Sequence, residues 1–168
     1  GKVALVTGAG RGIGRSIAET LARCGASVMV NDLDVAPLEE TRLLVNGAML
    51  AADLTQREVP QQLVDATLAA YGQLDIIVNN AGYTWDNVIQ KTSDDQFQAM
   101  LDIHLVTPFR ILRAASTFLR DAAKRETAEG RRVMRKVVNI TSISGTDGNA
   151  GQAGYSSGKA GVIGLTKA

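Results

Sequence analysis

A doubly wound α/β domain built on a central parallel sheet is the fold predicted by this 168-residue sequence. Three observations predict it. Five short apolar runs recur at regular intervals, helix-period patterns fill the gaps between them, and a glycine-rich turn follows the first run directly.

The runs are Val3 to Thr7, Ser27 to Asn31, Ala48 to Ala52, Asp75 to Asn79 and Lys136 to Ile140. Each is continuously apolar rather than alternating, the pattern of a strand covered on both faces. Between the first two runs, Ile13, Ile17 and Leu21 form a helical stripe that Gly25 closes in a C-terminal capping position. Leu63, Ala66, Thr67 and Ala70 form another, ended by Gly72, and a long helix is expected from about Asp94 to Arg120. Strand and helix therefore alternate, which selects the parallel, doubly wound arrangement. One stretch breaks the rhythm. From Asp121 to Lys136 the chain carries Lys124, Arg125, Arg131, Arg132, Arg135 and Lys136 against Asp121, Glu126 and Glu129. It reads as a solvated excursion, with a basic patch for a phosphorylated or acidic carrier as the alternative.

With 45% hydrophobic and 4% aromatic residues, the composition suits one aliphatic-cored domain over residues 1–168. A net charge of +1 gives no global reason to expect nucleic acid as a partner. The single Cys24 cannot form an internal disulfide, and one cysteine with one histidine gives no metal-ligand spacing. No apolar run is long enough to cross a membrane and no leader precedes the first strand, so a cytoplasmic location is the expectation. The sequence opens on Gly1-Lys2 without Met and stops at Ala168 within an amphipathic helix, which reads as a chain incomplete at its C-terminus.

The turn after the first strand reads Thr7-Gly8-Ala9-Gly10-Arg11-Gly12-Ile13-Gly14 and runs straight into a helix. Glycines let the backbone approach a ligand closely, and a helix N-terminus presents unpaired N–H groups at the positive end of its dipole. Together they form a cradle for a pyrophosphate. The spacing is G-x-x-x-G-x-G on Gly8, Gly12 and Gly14, not the general G-x-G-x-x-G form. Asp32, after the second strand, can accept hydrogen bonds from adenosine ribose hydroxyls and repel a 2′-phosphate, which favours NAD. Arg11 could pair with that phosphate, so NADP stays the alternative, with Asp34 as another partner for such a cation. Asp53 after the third strand can bind the adenine amino group, with Leu54 supporting it; the other reading is a turn or helix-capping aspartate.

Tyr155 and Lys159 lie one helical turn apart, shortly after Ser142 at the end of an apolar strand. A phenol has a reference pKa of about 10, and a neighbouring cation favours its ionised form, bringing acid/base work near neutral pH within reach. The cofactor turn, Asp32, Asn79-Asn80-Ala81-Gly82 after the fourth strand, and Tyr155-x-x-x-Lys159 together resemble the short-chain dehydrogenases/reductases over nearly the whole chain. Gly145, Gly148 to Gln152 and Lys159 to Leu165 look most similar to the 3-oxoacyl-acyl-carrier-protein reductases of that family.

The resemblance implies a Rossmann-like dinucleotide-binding and catalytic domain, with Gly8, Arg11, Gly12, Ile13, Gly14, Asp32, Asp53, Leu54, Asn80, Ala81 and Gly82 at the cofactor. It implies that Ser142 holds the substrate oxygen, that Tyr155 exchanges its proton, and that Lys159 supports Tyr155 and binds the nicotinamide ribose. The expected reaction is hydride transfer between a nicotinamide and a ketone or secondary alcohol, with a 3-oxoacyl thioester foremost. Dehydrogenation of a steroid, polyol or other small alcohol is the alternative, and a non-catalytic dinucleotide-binding regulator is a third reading. Homo-oligomers, tetramers or dimers, would form through the helices around Ile103 to Leu119 and Tyr155 to Lys167, with Gly161 and Gly164 either permitting close helix approach or packing against their own sheet.

Two departures stand out. Where the family places an asparagine in the long helix this chain has His104, which either serves a proton relay to Lys159 with altered pH dependence or fills a bend in the helix. The strands and substrate-closing segment that follow the last helix in relatives are missing from this chain, which would leave the fifth strand as a sheet edge.

Overall fold

The computed structural model describes residues 1–168 and contains a five-stranded sheet, parallel throughout, in the order β3-β2-β1-β4-β5. The strands are β1 (Val3–Thr7), β2 (Ser27–Asp32), β3 (Ala48–Ala51), β4 (Ile76–Asn79) and β5 (Lys136–Asn139). The order in which successive strands are added reverses between β1 and β4, which opens a crevice above the strands' carboxyl ends at that point. Side chains alternate across the pleat. Leu5, Met29 and Ile77 pack on one face with Leu63, Leu74 and Ile111; Val6, Val28, Val30 and Val78 pack on the other with Ala18 and Leu38. Both faces are covered, which is why the strands read as continuous apolar runs. The β5 edge is the exception: Val137 and Val138 are exposed.

Helices α1 (Gly12–Arg23) and α2 (Val35–Val45) cover one face of the sheet, and α3 (Val59–Tyr71) packs with the long helical segment on the other. Gly25 ends α1 at φ 86°. Its N–H reaches the Ala22 carbonyl while the Ala26 N–H reaches Leu21, the paired bonds of a Schellman cap. Gly72 closes α3 at φ 66°. At the foot of α3, the Tyr71 hydroxyl sits between two strands, 2.7 Å from the Ala48 N–H that donates to it and 3.0 Å from the Val28 carbonyl to which it donates.

Three expectations need correction. Asp75 lies just before β4, where its carboxylate accepts from the Val3 N–H at 2.9 Å and closes the ladder with a side chain. The expected helix from Asp94 to Arg120 is α4 (Asp94–Leu101), a π-helical turn at Asp102–Val106, and α5 (Thr107–Ala128). Ser93 and Gln96 begin α4 with a reciprocal capping box, each side chain 3.1 Å from the other's backbone N–H. The helix also runs past Arg120, because residues 121–128 are good helix formers and Ala122 is buried. The excursion thus shrinks to Glu129–Arg135, where Arg135 grips Glu126 with two bonds of 2.7 Å. These cations lie at the end of α5 remote from the π turn, about 33 Å along a 22-residue helix. A carrier held there would stand far from the carboxyl ends of the strands.

The closing helices are α6 (Ile143–Thr146) and α7 (Ala153–Lys167). Gly161 of α7 faces its own chain, where a Cβ would come within 2.7 Å of Leu105, whereas Gly164 faces open space. No helix is long and apolar enough to cross a membrane.

Tyr71→Phe removes the hydroxyl that serves both strands and leaves the Ala48 N–H and the Val28 carbonyl without it. Urea denaturation should show a loss of about 1–3 kcal/mol; an unchanged midpoint would mean that water replaces the phenol fully.

Candidate active site

The β1 and β4 ladder ends at Val6 and Val78, and side chains take over beyond it. The buried Thr7 hydroxyl donates to the Val78 carbonyl and accepts from the Asn80 and Ala81 N–H groups, both at 3.0 Å. The Asn80 amide donates to the Thr7 and Gly8 carbonyls at 3.0 and 3.1 Å. Asn80, expected at the cofactor, therefore lines the cavity while its amide holds the glycine turn in place. Gly8 sits at φ 62° so close to the second loop that a Cβ would fall 2.7 Å from the Ala81 Cα. A Cβ on Gly14 would fall 2.0 Å from the Gly8 carbonyl oxygen, so α1 begins hard against the turn. No side chain caps α1 and no acidic residue occupies its first turn, which leaves its N-terminal N–H groups for an anion.

Above the carboxyl ends of the strands lies a cavity of about 490 Å³. Gly8, Arg11, Ile13 and Gly14 line it from the turn, Asp32, Asp53 and Leu54 from the β2 and β3 ends, and Asn80, Ala81 and Gly82 from the β4 loop. Gly12 does not line it; at φ 56° it turns the chain into α1. Asp32 is fixed by three backbone donors: Gly10 at 2.8 Å on one oxygen, Leu33 at 2.8 Å and Asp34 at 3.2 Å on the other. A carboxylate has about four acceptor positions, so roughly one remains for a ribose hydroxyl. Arg11 is paired with Asp34, the partner suggested for it. Asp53 closes a turn, accepting from the Thr55 N–H at 2.9 Å and from the Thr55 hydroxyl at 2.7 Å. Burial pushes its pKa up, but the bonds from Thr55 and Gln56 outweigh that and hold it below the usual carboxylate value. Turn closure and cavity lining thus coexist at Asp53. The cradle, the free helix N-terminus and the carboxylates fit a dinucleotide.

Two residues escaped the sequence reading. Gly10 is required because a Cβ there would lie 2.8 Å from the Asp32 carboxylate, and Thr7 carries the junction described above. The extra glycine in the turn and a hydroxyl ending an apolar strand were the available signals.

Tyr155, Lys159 and His104 come together outside this cavity, and Gly82, Tyr83 and Ile103 connect the two regions. Ser142 caps α6, its Oγ accepting from the Ser144 N–H at 3.1 Å, which leaves its own hydrogen free to donate. One turn separates Tyr155 from Lys159 on α7, but this is no surface pair: Lys159 is 6% exposed. Its Nζ donates to the Ile140 carbonyl at 2.6 Å and lies 5.6 Å from the centre of the Tyr155 ring. Burial pushes the Lys159 pKa down from the ordinary lysine value.

His104 stands edge-on to the Tyr155 ring, centroids 4.9 Å apart at 88°. Its Nε2 lies 2.7 Å from the Tyr83 carbonyl, which can only accept, so this nitrogen carries the proton and Nδ1 of the neutral ring is an acceptor. Nδ1 is buried without a partner. Room for the ring comes from two glycines: a Cβ on Gly82 would fall 2.3 Å from its Cε1, and one on Gly158 2.9 Å from its Cβ. The π turn places the imidazole between them.

Residues 2–168 match the family described as short chain dehydrogenase. The hydroxyacyl-CoA dehydrogenase ChsB1 of Mycobacterium tuberculosis is 40% identical over 177 residues, covering 99% of this chain and 55% of its own length. The 3-oxoacyl-[acyl-carrier-protein] reductase FabG of Vibrio cholerae is 40% identical over 170 residues, covering 100% and 66%. Among solved structures, a short chain dehydrogenase from Mycobacterium avium superposes with a TM-score of 0.88 at 31% identity, covering 98% of this chain and 60% of that one. One from Streptomyces avermitilis gives 0.87 at 30%, covering 99% and 58%. The chain thus spans between 55% and 66% of the length of these curated relatives.

Burial, with the Lys159 charge adding and the Tyr83 carbonyl opposing, lowers the His104 pKa to about 4. In the unfolded chain the imidazole takes a proton near pH 6.5, so between these values the unfolded state binds more protons. Stability from this group is complete above about 6.5 and is lost as pH falls toward 4. Urea denaturation should show about 2 kcal/mol lost between pH 7 and pH 5, and His104→Asn should remove that loss; equal slopes in both proteins would contradict the assignment.

Proposed function

The chain belongs to the short-chain dehydrogenase family, and on that premise we propose that it forms the cofactor-binding and proton-handling part of an oxidoreductase acting on a ketone or secondary alcohol. The glycine turn, Asp32 and the Asn80–Gly82 loop would hold a nicotinamide dinucleotide, which would supply or accept the hydride. The observation that carries the reading is the buried Lys159 beside Tyr155, within one loop of the cavity wall.

In the reductive direction Ser142 donates its free hydroxyl hydrogen to the substrate oxygen and orients the carbonyl. Tyr155 gives that oxygen a proton as it becomes an alkoxide. The charge left on the phenol is then held by Lys159. With that charge placed at the ring centre, 5.6 Å away, an effective dielectric constant of about 20 gives an attraction of about 3 kcal/mol, roughly two decades in rate. Ile140 occupies one of the three Lys159 donors, leaving others for the nicotinamide ribose. His104 enters as a neutral imidazole whose Nδ1 lone pair can accept from a water on the path that returns the proton.

The substrate class we favour is a 3-oxoacyl thioester. It is supported by two relatives at 40% identity, one named for a 3-oxoacyl carrier-protein substrate and one for a hydroxyacyl-CoA. NAD is the proposed cofactor, because a carboxylate on the cavity wall at Asp32 would repel a 2′-phosphate and Arg11 is already paired with Asp34. For self-association we propose the outer side of α5 and α7, where Phe109 is exposed and Gly164 opens outward.

Following reduced-cofactor absorbance with acetoacetyl-CoA tests the chemistry. Tyr155→Phe should lower kcat by about 10²-fold or more while cofactor affinity stays within about threefold; retention of most of the wild-type rate would overturn the assignment. Asp32→Ala should cut the kcat/KM preference for NADH over NADPH by about tenfold or more, and an unchanged ratio would remove Asp32 from cofactor choice.

A further inference from the structure

Gln152 immediately precedes α7, and its side chain bonds three separate segments. Its Oε1 accepts from the Ser144 hydroxyl at 2.9 Å and from the Asn149 amide at 3.1 Å, and its Nε2 donates to the Asp86 carboxylate at 2.9 Å. The amide orientation follows from these partners, because a carboxylate accepts and so must face the nitrogen. The backbone supports the same junction. The Asn87 N–H donates to the Gly151 carbonyl at 2.9 Å, Asn87 and Gln152 form a parallel bridge, and the Gln152 carbonyl accepts from the Ser156 N–H at 2.7 Å in the first turn of α7.

Two of these contacts, and the chain itself, lead to parts of the candidate active site. Asp86 lies three residues beyond Tyr83, whose carbonyl holds His104 and which helps to wall the cofactor cavity. The Ser144 N–H is bonded to Ser142 Oγ. Tyr155 follows Gln152 by three residues on α7. A partly exposed amide could satisfy its hydrogen bonds with water, so three convergent protein partners serve placement rather than mere satisfaction.

We propose that Gln152 is a positioning residue that sets Ser142 and Tyr155 against the loop walling the cofactor cavity, so that proton and hydride reach the same carbonyl. This rests on the acid/base reading of Tyr155. Gln152 acts through Ser142 and Tyr155 rather than on the reacting atoms.

The test measures steady-state kinetics with NADH and acetoacetyl-CoA, together with Tm, in Gln152→Glu, Asp86→Asn, the double variant and Tyr155→Phe. Gln152→Glu sets two carboxylates against each other and should lower kcat by about tenfold or more, with KM for NADH within about threefold. The loss should be smaller at about pH 5.5 than at about pH 8, because the crowded carboxyl pair takes up a proton more readily. Adding Asp86→Asn exchanges amide and carboxylate and should return kcat and Tm to within error of wild type. Turnover in Gln152→Glu within about threefold of wild type, or a loss that Asp86→Asn fails to restore, would overturn the proposal. Tyr155→Phe separates the two levels. If it keeps turnover, the acid/base reading falls and this proposal with it; if it loses turnover while Gln152→Glu keeps it, only the positioning role falls.

Discussion

Polar side chains at the carboxyl ends of the strands carry the sheet's hydrogen bonding into the site, and the junction between Thr7 and Asn80 is the one on which the others depend. β1 and β4 are neighbours only through the reversal of strand order, and their ladder stops at Val6 and Val78. Thr7 and Asn80 then bind the two departing loops to each other. Each such bond contributes about 0.5–1.5 kcal/mol net, so the junction is worth a few kcal/mol in stability. Its larger effect is geometric. From it the chain runs one way into the glycine turn and α1, and the other way through Gly82 and Tyr83 to His104. Asn31 makes a comparable join, its amide reaching the Leu50 and Ala52 carbonyls, and Asn79 bonds Asn139 at 2.7 Å.

What the sequence disclosed and what it hid follow from the range of the forces involved. The strands were legible because burial on both faces leaves a continuous apolar run, and the ends of α1 and α3 because a left-handed cap needs glycine locally. The glycine turn after β1 was legible for the same reason. The π turn was not: it depends on His104 fitting between Gly82 and Gly158, residues far apart in sequence and brought together only by packing. The extension of α5 was hidden because charge alone cannot separate a loop from an exposed helix face, and Ala122 is a weak sign of burial. Asp53 shows that alternatives read from sequence need not exclude each other, since its carboxylate closes a turn at the cavity wall.

Two kinds of electrostatic site adjoin in this molecule. At the cavity the carboxylates of Asp32 and Asp53 are held by backbone and hydroxyl donors, which fixes negative charge at its rim. Beside Tyr155 the single cation Lys159 and the neutral His104 are taken from water, so an anion formed there meets a positive charge in a poorly screening environment. In the function proposed above, the first arrangement would select the ligand and the second would favour a transient charge. Their separation by one loop makes loop placement the controlling variable.

The central claim is therefore that one junction positions both halves of the site. It is tested most directly by Asn80→Ala, measuring cofactor affinity by fluorescence titration alongside the single-turnover rate of NADH oxidation by acetoacetyl-CoA. Removing an amide that holds the Thr7 and Gly8 carbonyls should weaken cofactor binding by about tenfold and slow the bound cofactor's single turnover by a similar factor. Weakened binding with an unchanged single-turnover rate at saturating cofactor would contradict the claim.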